Sequence, residues 1–262
     1  MKRNYLFLFA ALLIAGGCSS VIDSALDSAG RTVGEAAGRM VGQRIVRTYT
    51  PRFASMYASY MFTYAFTPGG YWVEPNEYEQ GQWTKWRFVE DGEPTGSWLE
   101  RAFLKRDEEG QEWWRVTMYD ADSEDTVTLE ALFAADKSTV LRLRSKFPDQ
   151  EISEMPVEEG TMIYREPLEL TDESMEGATV ETGPVSVPAG SFTARHIRYG
   201  DMASGGTMDW WTTEEVPGGL VKYGSTSARS GEEEDVEGLD EYNFTLELTE
   251  YGSGATTQLN SY

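Results

Sequence analysis

Hydrophobic and polar residues alternate along most of the chain, with a period of two that begins near Tyr57. Alternation of this kind, with β-branched and aromatic residues between Gly- or Asp-rich turns, predicts short antiparallel strands. The first alternating runs are Ser59–Thr67, Gln82–Glu90, Ser97–Arg106, Glu112–Asp120, Thr126–Ala134, Ser138–Phe147 and Thr161–Leu170, and similar runs follow. About ten to twelve strands are too many for a flat sheet. The pattern therefore predicts a mainly β domain over residues 57–262, with one large curved antiparallel sheet that forms an open or part-closed barrel.

A different period precedes the strands. Residues Val21 to Arg47 contain no proline and are predicted to form an N-terminal helix, in which Gly30, Gly34, Gly38 and Gly42 recur every four residues. This spacing places the glycines on one helix face, where another backbone can approach closely. Alternatives stay open for residues 18–56: a poorly ordered tether or a helix that packs within the molecule, or a surface for self-association or membrane contact.

The first seventeen residues have the features of an export signal. Lys2 and Arg3 precede the apolar run Tyr5–Ile14, which is too short to span a bilayer as a helix. The small residues 15–17 then lead to Cys18, the only cysteine of the chain. This arrangement resembles a bacterial lipoprotein signal, which implies cleavage after residue 17 and acylation of the Cys18 thiol. A lone cysteine in an exported chain is otherwise hard to explain, because exported proteins use cysteines in pairs.

The resemblance also bears on location and partners. Ser19 follows the cysteine where enterobacterial sorting to the inner membrane uses Asp, so the resemblance implies an outer-membrane anchor facing the periplasm. The formal net charge of −22 disfavours nucleic acid, which rewards Lys and Arg. The membrane is thus a predicted partner through lipidated Cys18, and nucleic acid is not.

Candidate chemistry is sparse. His196 is the only histidine, and it falls within an alternating run, so we interpret it as a structural residue of a strand. The chain has no G-x-S-x-G elbow and no second His or Cys in the mature region for a zinc site. The acidic segment Asp120–Asp125 lacks the glycine and the terminal glutamate of a calcium loop and is predicted to be a hairpin turn. We predict no catalytic residue, no metal and no cofactor.

Two tryptophan pairs point instead to binding. In a strand, the neighbours Trp113-Trp114 and Trp210-Trp211 point to opposite faces, so each pair puts one indole on each side of the sheet. Both indoles of such a pair are buried only if one face is lined by a core or cavity and the other is covered by a helix or the membrane. The alternative is ordinary sheet packing with partly exposed indoles. Trp114 and Trp211 are our candidates for residues that line an apolar ligand site.

The tract from Val185 to Tyr223 contains the pieces "VPAGSF", "DWW" and "VPGGLVKY". These pieces resemble segments of bacterial envelope proteins related to the lipoprotein-carrier fold of the LolA/LolB type. The resemblance implies a curved antiparallel sheet that half-encloses an apolar cavity under a helical lid, with turns at Pro188-Ala189-Gly190 and Pro217-Gly218-Gly219.

Together these observations predict a lipid-anchored envelope protein that is not an enzyme and that binds a hydrophobic ligand, a lipid or an acyl chain, in its curved sheet. The alternative is a structural or assembly lipoprotein that holds an envelope protein partner through the glycine-spaced helix or a sheet edge.

Overall fold

A computed structural model describes residues 51–157, 168–169, 171–200, 206–226 and 244–262. The predicted signal peptide of residues 1–17, the acylation site Cys18 and the glycine-spaced helix Val21–Arg47 lie outside the described residues. Most of the run Thr161–Leu170 also lies outside them.

The first described element is helix α1, Pro51–Phe66. The sequence analysis predicted a strand over Ser59–Thr67, and that prediction was wrong. Aromatic residues at even positions from 60 to 66 gave an apparent period of two, but the buried positions follow the helical period. They are Ala54, Ala58, Met61, Phe62, Tyr64, Ala65 and Phe66. Helix α1 also crosses residue 57, where the sequence placed the start of the β domain.

Thirteen strands are described in the residues that the structure covers. They are β1 Tyr71–Trp72, β2 Trp83–Glu90, β3 Glu93–Arg106, β4 Glu112–Asp120, β5 Asp125–Phe133, β6 Val140–Lys146, β7 Ser153–Met155, β8 Leu168–Glu169, β9 Thr179–Val187, β10 Gly190–Gly200, β11 Thr207–Thr212, β12 Leu220–Ser225 and β13 Phe244–Gly252. Eleven of them form one sheet in the order β7-β6-β5-β4-β3-β2-β13-β12-β11-β10-β9, and every pair is antiparallel. The predicted fold class, a mainly β protein with one large antiparallel sheet that does not close, is confirmed.

The sheet curls strongly at one end. The backbone N–H of Ala189, in the β9–β10 turn, donates to the carbonyl of Leu248 in β13 at 3.1 Å. Three strands separate β13 from β9 in the sheet order, so this hydrogen bond can form only if the sheet bends back on itself. The bend gives the sheet an inner and an outer face.

Short elements lie at the rim of the inner face. A 3₁₀ turn, Pro68–Gly70, follows α1 directly, and β1 pairs in parallel with β8. Helix α2, Asp172–Gly177, begins after Thr171, whose hydroxyl accepts from the N–H of Ser174 as an N-cap. The hairpin predicted at Asp120–Asp125 and the turns predicted around Pro188 and Pro217 are all present.

The inner face carries the main core. Helix α1 packs on it, and fully buried side chains from both layers form one cluster that includes Phe62, Trp86, Leu99 and Trp210. A second, smaller cluster of Ala102, Leu104, Trp113 and Leu132 lies on the outer face. The main sheet is therefore packed on both sides.

Candidate functional site

The inner surface of α1 is rich in aromatic side chains. Phe62 and Phe66 contact Phe133 with ring centroids 5.9 and 5.2 Å apart, and Phe66 also meets Trp114 edge-on at 5.4 Å. Further towards the N-terminus of the helix, Tyr57 packs against Phe147. These contacts run from Tyr57 to Phe66 and make α1 a cover of the apolar inner face.

Three tyrosines, Tyr57, Tyr60 and Tyr64, follow one another along α1. The Tyr57 hydroxyl donates to Sδ of Met118 at 3.5 Å, a weak acceptor. The Tyr64 hydroxyl is buried and has no hydrogen-bond partner among the described residues. Burial raises the pKa of both Tyr60 and Tyr64, because water is excluded from the charged form.

Below the C-terminal end of α1 lies a buried cluster of charges. Arg101 of β3 pairs with Glu74 at 2.9 Å and donates to the Tyr78 hydroxyl through Nη2 at 2.9 Å. Tyr78 also shares a hydrogen bond with Thr84. Burial raises the pKa of Glu74, and the nearby cations Arg101 and Lys137 oppose that shift.

The same cluster extends to Glu112, the first residue of β4. Glu112 accepts from Nε1 of Trp114 at 2.8 Å and from Nη2 of Arg106 at 2.6 Å. Lys137 lies 3.6 Å from Glu112 and 3.9 Å from Glu74, so one ammonium links the two carboxylates. Each charge has an opposite partner, which is the condition for burying ionised groups. The cluster thereby ties residues 74–78 to three separate parts of the sheet.

Glycine geometry shows how closely this end of the inner face is packed. Gly218 has φ of +70°, and a Cβ there would lie 2.2 Å from Cε2 of Tyr78 and 2.7 Å from Nη2 of Arg101. Asn76 donates to the carbonyls of Glu214 and Val216 at 3.1 and 2.8 Å. The loop after β1 and the turn before β12 therefore close this end together.

Of the two predicted ligand-lining residues, Trp114 lies on the inner face and Trp211 on the outer. Trp114 is buried between Phe66, Tyr78 and Phe103, directly under the C-terminal end of α1. Trp211 stacks on His196, with ring centroids 4.4 Å apart and planes at 11°. The structure does not bring the two indoles together, and ligand binding by either residue stays a prediction.

His196 is buried in β10 opposite Trp211. Its Nε2 hydrogen-bonds Oδ1 of Asp209, a fully buried carboxylate. Asp209 also accepts from Nε of Arg198 at 2.7 Å and from the Thr207 hydroxyl at 3.1 Å. The contacts account for the position of His196 by stacking and hydrogen bonding within the sheet.

The outward-facing tryptophans are covered in a way that the sequence did not suggest. We expected a helix or the membrane over the second face, but over β3–β6 the cover is the C-terminal segment 253–262. Trp113 contacts Tyr262, with ring centroids 6.1 Å apart. Buried Glu130 accepts four hydrogen bonds from this segment, from the Thr257 and Ser261 hydroxyls and the N–H groups of Gln258 and Leu259. No local sequence pattern marks Glu130, because its partners lie more than 125 positions away along the chain.

The remaining outer face carries a row of cross-strand neighbours. Lys222 pairs with Glu247 at 3.2 Å, and Glu247 pairs with Arg87 at 2.7 Å. Farther along, Trp98 stacks on Tyr119 with centroids 5.9 Å apart, and Nζ of Lys85 lies 4.2 Å from the centre of the Trp98 ring.

No group of three or more His, Cys, Asp or Glu side chains among the described residues is placed to hold a metal ion. In the Asp120–Asp125 hairpin, Asp120 accepts from the N–H of Asp122 and from the Ser123 hydroxyl within the turn itself. No described helix has the length and apolar character needed to cross a membrane.

No family model matches the chain, and no curated protein matches it. A solved structure with similarity to it is described as that of an exported protein with a YmcC-like fold from Bacteroides fragilis. The two share 11% sequence identity, the match covers 69% of this chain and 100% of the other, and the TM-score is 0.39.

Proposed function

We propose that this chain is a lipid-anchored protein of the bacterial envelope that binds an apolar ligand between helix α1 and the inner face of the sheet, without catalysing a reaction. The anchor is acylated Cys18, and the location is the periplasmic side of the outer membrane. The lipoprotein-like signal of residues 1–17 supports both parts. The observation that carries the binding proposal is that helix α1 covers much of the apolar inner face in the described part of the chain.

The two halves of α1 are held to the sheet unequally. Among the described side chains, the C-terminal half contributes the buried Phe62 and Phe66 to the core, whereas the N-terminal half contributes the buried Ala54 and Ala58 and the half-buried Tyr57. Because apolar burial scales with area, the alanines add much less free energy than the phenylalanines. The N-terminal half of α1 can thus separate from the sheet at lower cost.

A pivot for this motion follows the helix. Gly69 and Gly70 both have positive φ, and Nε1 of Trp210 donates to the Pro68 carbonyl at 3.0 Å. This bond holds Pro68, the second residue after α1, to the sheet, so the helix can lift about that point, its N-terminal half farthest. An acyl chain entering the opened space gains about 0.8 kcal/mol per buried methylene, so a chain of ordinary length offsets the lost helix contacts.

The test uses the mature chain with Cys18→Ser, which cannot be acylated, purified without detergent. We expect lipid to co-purify by mass spectrometry, and we expect dibromostearate to quench tryptophan fluorescence. Trp114→Phe should remove part of the quenching, because Trp114 lies under α1. Trp211→Phe is the matched outer-face variant and tests at the same time whether Trp211 lines the site. Neither lipid nor quenching in the folded chain would contradict the proposal.

A second function, that of an assembly lipoprotein which holds an envelope protein partner, has one observation in its favour. The inner face is occupied by side chains of the protein itself, with Ala58, Met61 and Phe62 at most 1% exposed. If α1 never leaves the sheet, any partner must use another surface. A deletion of residues 19–50 that changes partner recovery but not lipid content would favour this role.

A further inference from the structure

The Tyr64 hydroxyl is buried in the core, where no described residue forms a hydrogen bond with it. The side chain is 3% exposed, and its ring lies 4.9 Å from Tyr60, 5.1 Å from Phe244 and 5.7 Å from Phe88 between ring centroids. No acceptor in the part of the chain that the structure describes lies within hydrogen-bonding distance of this hydroxyl. A buried hydroxyl without a partner destabilises a protein by about 1–3 kcal/mol, so its retention calls for an explanation.

The neighbouring tyrosine of the same helix provides a contrast. Tyr57 also faces the sheet, but its hydroxyl contacts Sδ of Met118. A phenylalanine would fill the space of Tyr64 with the same ring and without the penalty. Tyr64 therefore keeps a hydrogen-bond donor that the described protein does not use, in the interface where the proposed ligand binds.

The charges near these tyrosines are negative. Glu90 ends β2 two residues after Phe88, which contacts Tyr64, and Asp120 ends β4 two residues after Met118, which contacts Tyr57. After burial, these carboxylates also help to raise the pKa of Tyr60, and Glu90 that of Tyr64. The pKa of Glu90 is itself raised, first by burial and then by the carboxylates of Asp91 and Asp122. An anionic headgroup at this end of α1 would meet like charges, which disfavours it.

We infer that Tyr64 is the polar anchor of the site under α1, donating its hydroxyl proton to an ester carbonyl of a diacyl lipid whose headgroup carries no net negative charge. This inference rests on the proposed function. The acyl chains lie against the apolar inner face, the ester carbonyl supplies the acceptor that Tyr64 lacks, and the headgroup lies towards Glu90 and Asp120.

The experiment compares three short-chain probes on the mature Cys18→Ser chain: dihexanoyl phosphatidylcholine, its diether analogue without carbonyls, and dihexanoyl phosphatidylglycerol. Calorimetry should show the diester choline lipid binding about three- to tenfold more tightly than the diether, the range that one hydrogen bond provides. The phosphatidylglycerol probe should bind more weakly than the choline lipid, and added salt should narrow that gap.

Two variants on the same helix separate the outcomes. Tyr64→Phe should bind diester and diether equally, while Tyr57→Phe should keep the preference. The free Tyr64→Phe protein should also melt at a higher temperature than the parent, because it loses an unpaired buried hydroxyl. Equal preference in the parent and in Tyr64→Phe would overturn the anchor and leave the proposed function standing. Failure of the parent to bind any of the three probes would overturn both.

Discussion

The two faces of the main sheet are covered by opposite ends of the described chain and by different chemistry. The inner face is covered by helix α1, largely through apolar contacts, with one buried cluster of charges around Arg101 and Glu74. The outer face is covered by the extended segment 253–262, through hydrogen bonds to Glu130, and by a half-buried row of ion pairs and stacked rings. A large apolar contact is strong but non-directional, whereas the outer cover depends on a few specific polar atoms. The inner cover therefore depends mainly on buried apolar area, and the outer cover on a few hydrogen bonds.

The largest difference should appear when one large ring is removed from each face. Phe62→Ala removes a fully buried ring from α1 and should lower the free energy of unfolding by about 3–5 kcal/mol. Trp98→Ala removes a half-buried ring that contacts Tyr119 and Lys85, and should lower it by about 1–2 kcal/mol. Urea unfolding of both variants measures the two values. Equal losses in the free energy of unfolding would contradict the view that the inner face contributes more apolar stabilisation than the outer face.

The loss of stability on removing the cation of an ion pair should also be larger on the inner face than on the outer face. Arg101→Met leaves Glu74 buried without its main cation and should cost about 3–5 kcal/mol, whereas Arg87→Met on the outer face should cost less than about 1 kcal/mol.

The stability of Arg101→Met should also depend on pH, because the buried carboxylate of Glu74 loses its main cation. The pKa of Glu74 is raised by burial, so the folded chain binds the proton more tightly than the unfolded chain does. Stability of Arg101→Met should therefore fall as the pH rises from the ordinary pKa of a glutamate through the raised one. Denaturation at several pH values tests this, and a variant that gains stability with rising pH in that window would contradict it.

The closed end of the inner face offers a sharper test of close packing. Gly218→Ala and Gly92→Ala both put an alanine at positive φ, but only the Cβ at 218 meets Tyr78 and Arg101, while that at 92 has nothing within 4 Å. We expect about 1 kcal/mol of loss at Gly92, from the backbone alone. Gly218→Ala should cost about 1–3 kcal/mol more, from overpacking. Similar melting temperatures for the two variants would show that residues 74–78 shift readily to accommodate the added methyl group.

The smallest of these effects should come from the outer cover. Glu130→Gln replaces one acceptor oxygen by an amide that faces donors, and should cost about 2 kcal/mol. Glu154→Gln is the matched control, because Glu154 makes half-exposed pairs with Arg142 and Arg144 and should change stability by less than about 1 kcal/mol. Hydrogen exchange should show faster exchange of the Gln258 and Leu259 amides in Glu130→Gln alone. Unchanged exchange there would mean that the segment is held by Trp113 and Leu259 without the carboxylate.

The sequence predicted the strands well and the covers poorly. Alternation is a local signal, so runs such as Glu112–Asp120 and the hairpin after it were readable from neighbours alone. Helix α1 was missed because aromatic residues at even positions from 60 to 66 imitate a strand, and only packing shows that Ala54, Ala58 and Met61 share its buried face. The role of Glu130 and the isolation of the Tyr64 hydroxyl depend on partners far away in the chain, which no local pattern encodes.

The candidate site was predictable to the same partial extent. Trp114 was selected by its place in a tryptophan pair, and it lies under α1 as an inward residue should. The other tryptophan pair supplied Trp211. Its stacking partner His196 could be found only from the register of β10 with β11. The charges around Arg101 come from a loop, two strands and a turn, so their meeting follows from topology alone.

The hydrogen bonds to Glu130 also bear on the order in which the chain can fold. Synthesis delivers a polypeptide starting from its amino end, so the carboxylate emerges well before the donors at 257–261 that bind it. Until those donors arrive, β5 carries a negative group without these partners on a surface that is buried in the folded protein. The domain can therefore reach its final form only after its last ten residues have been made.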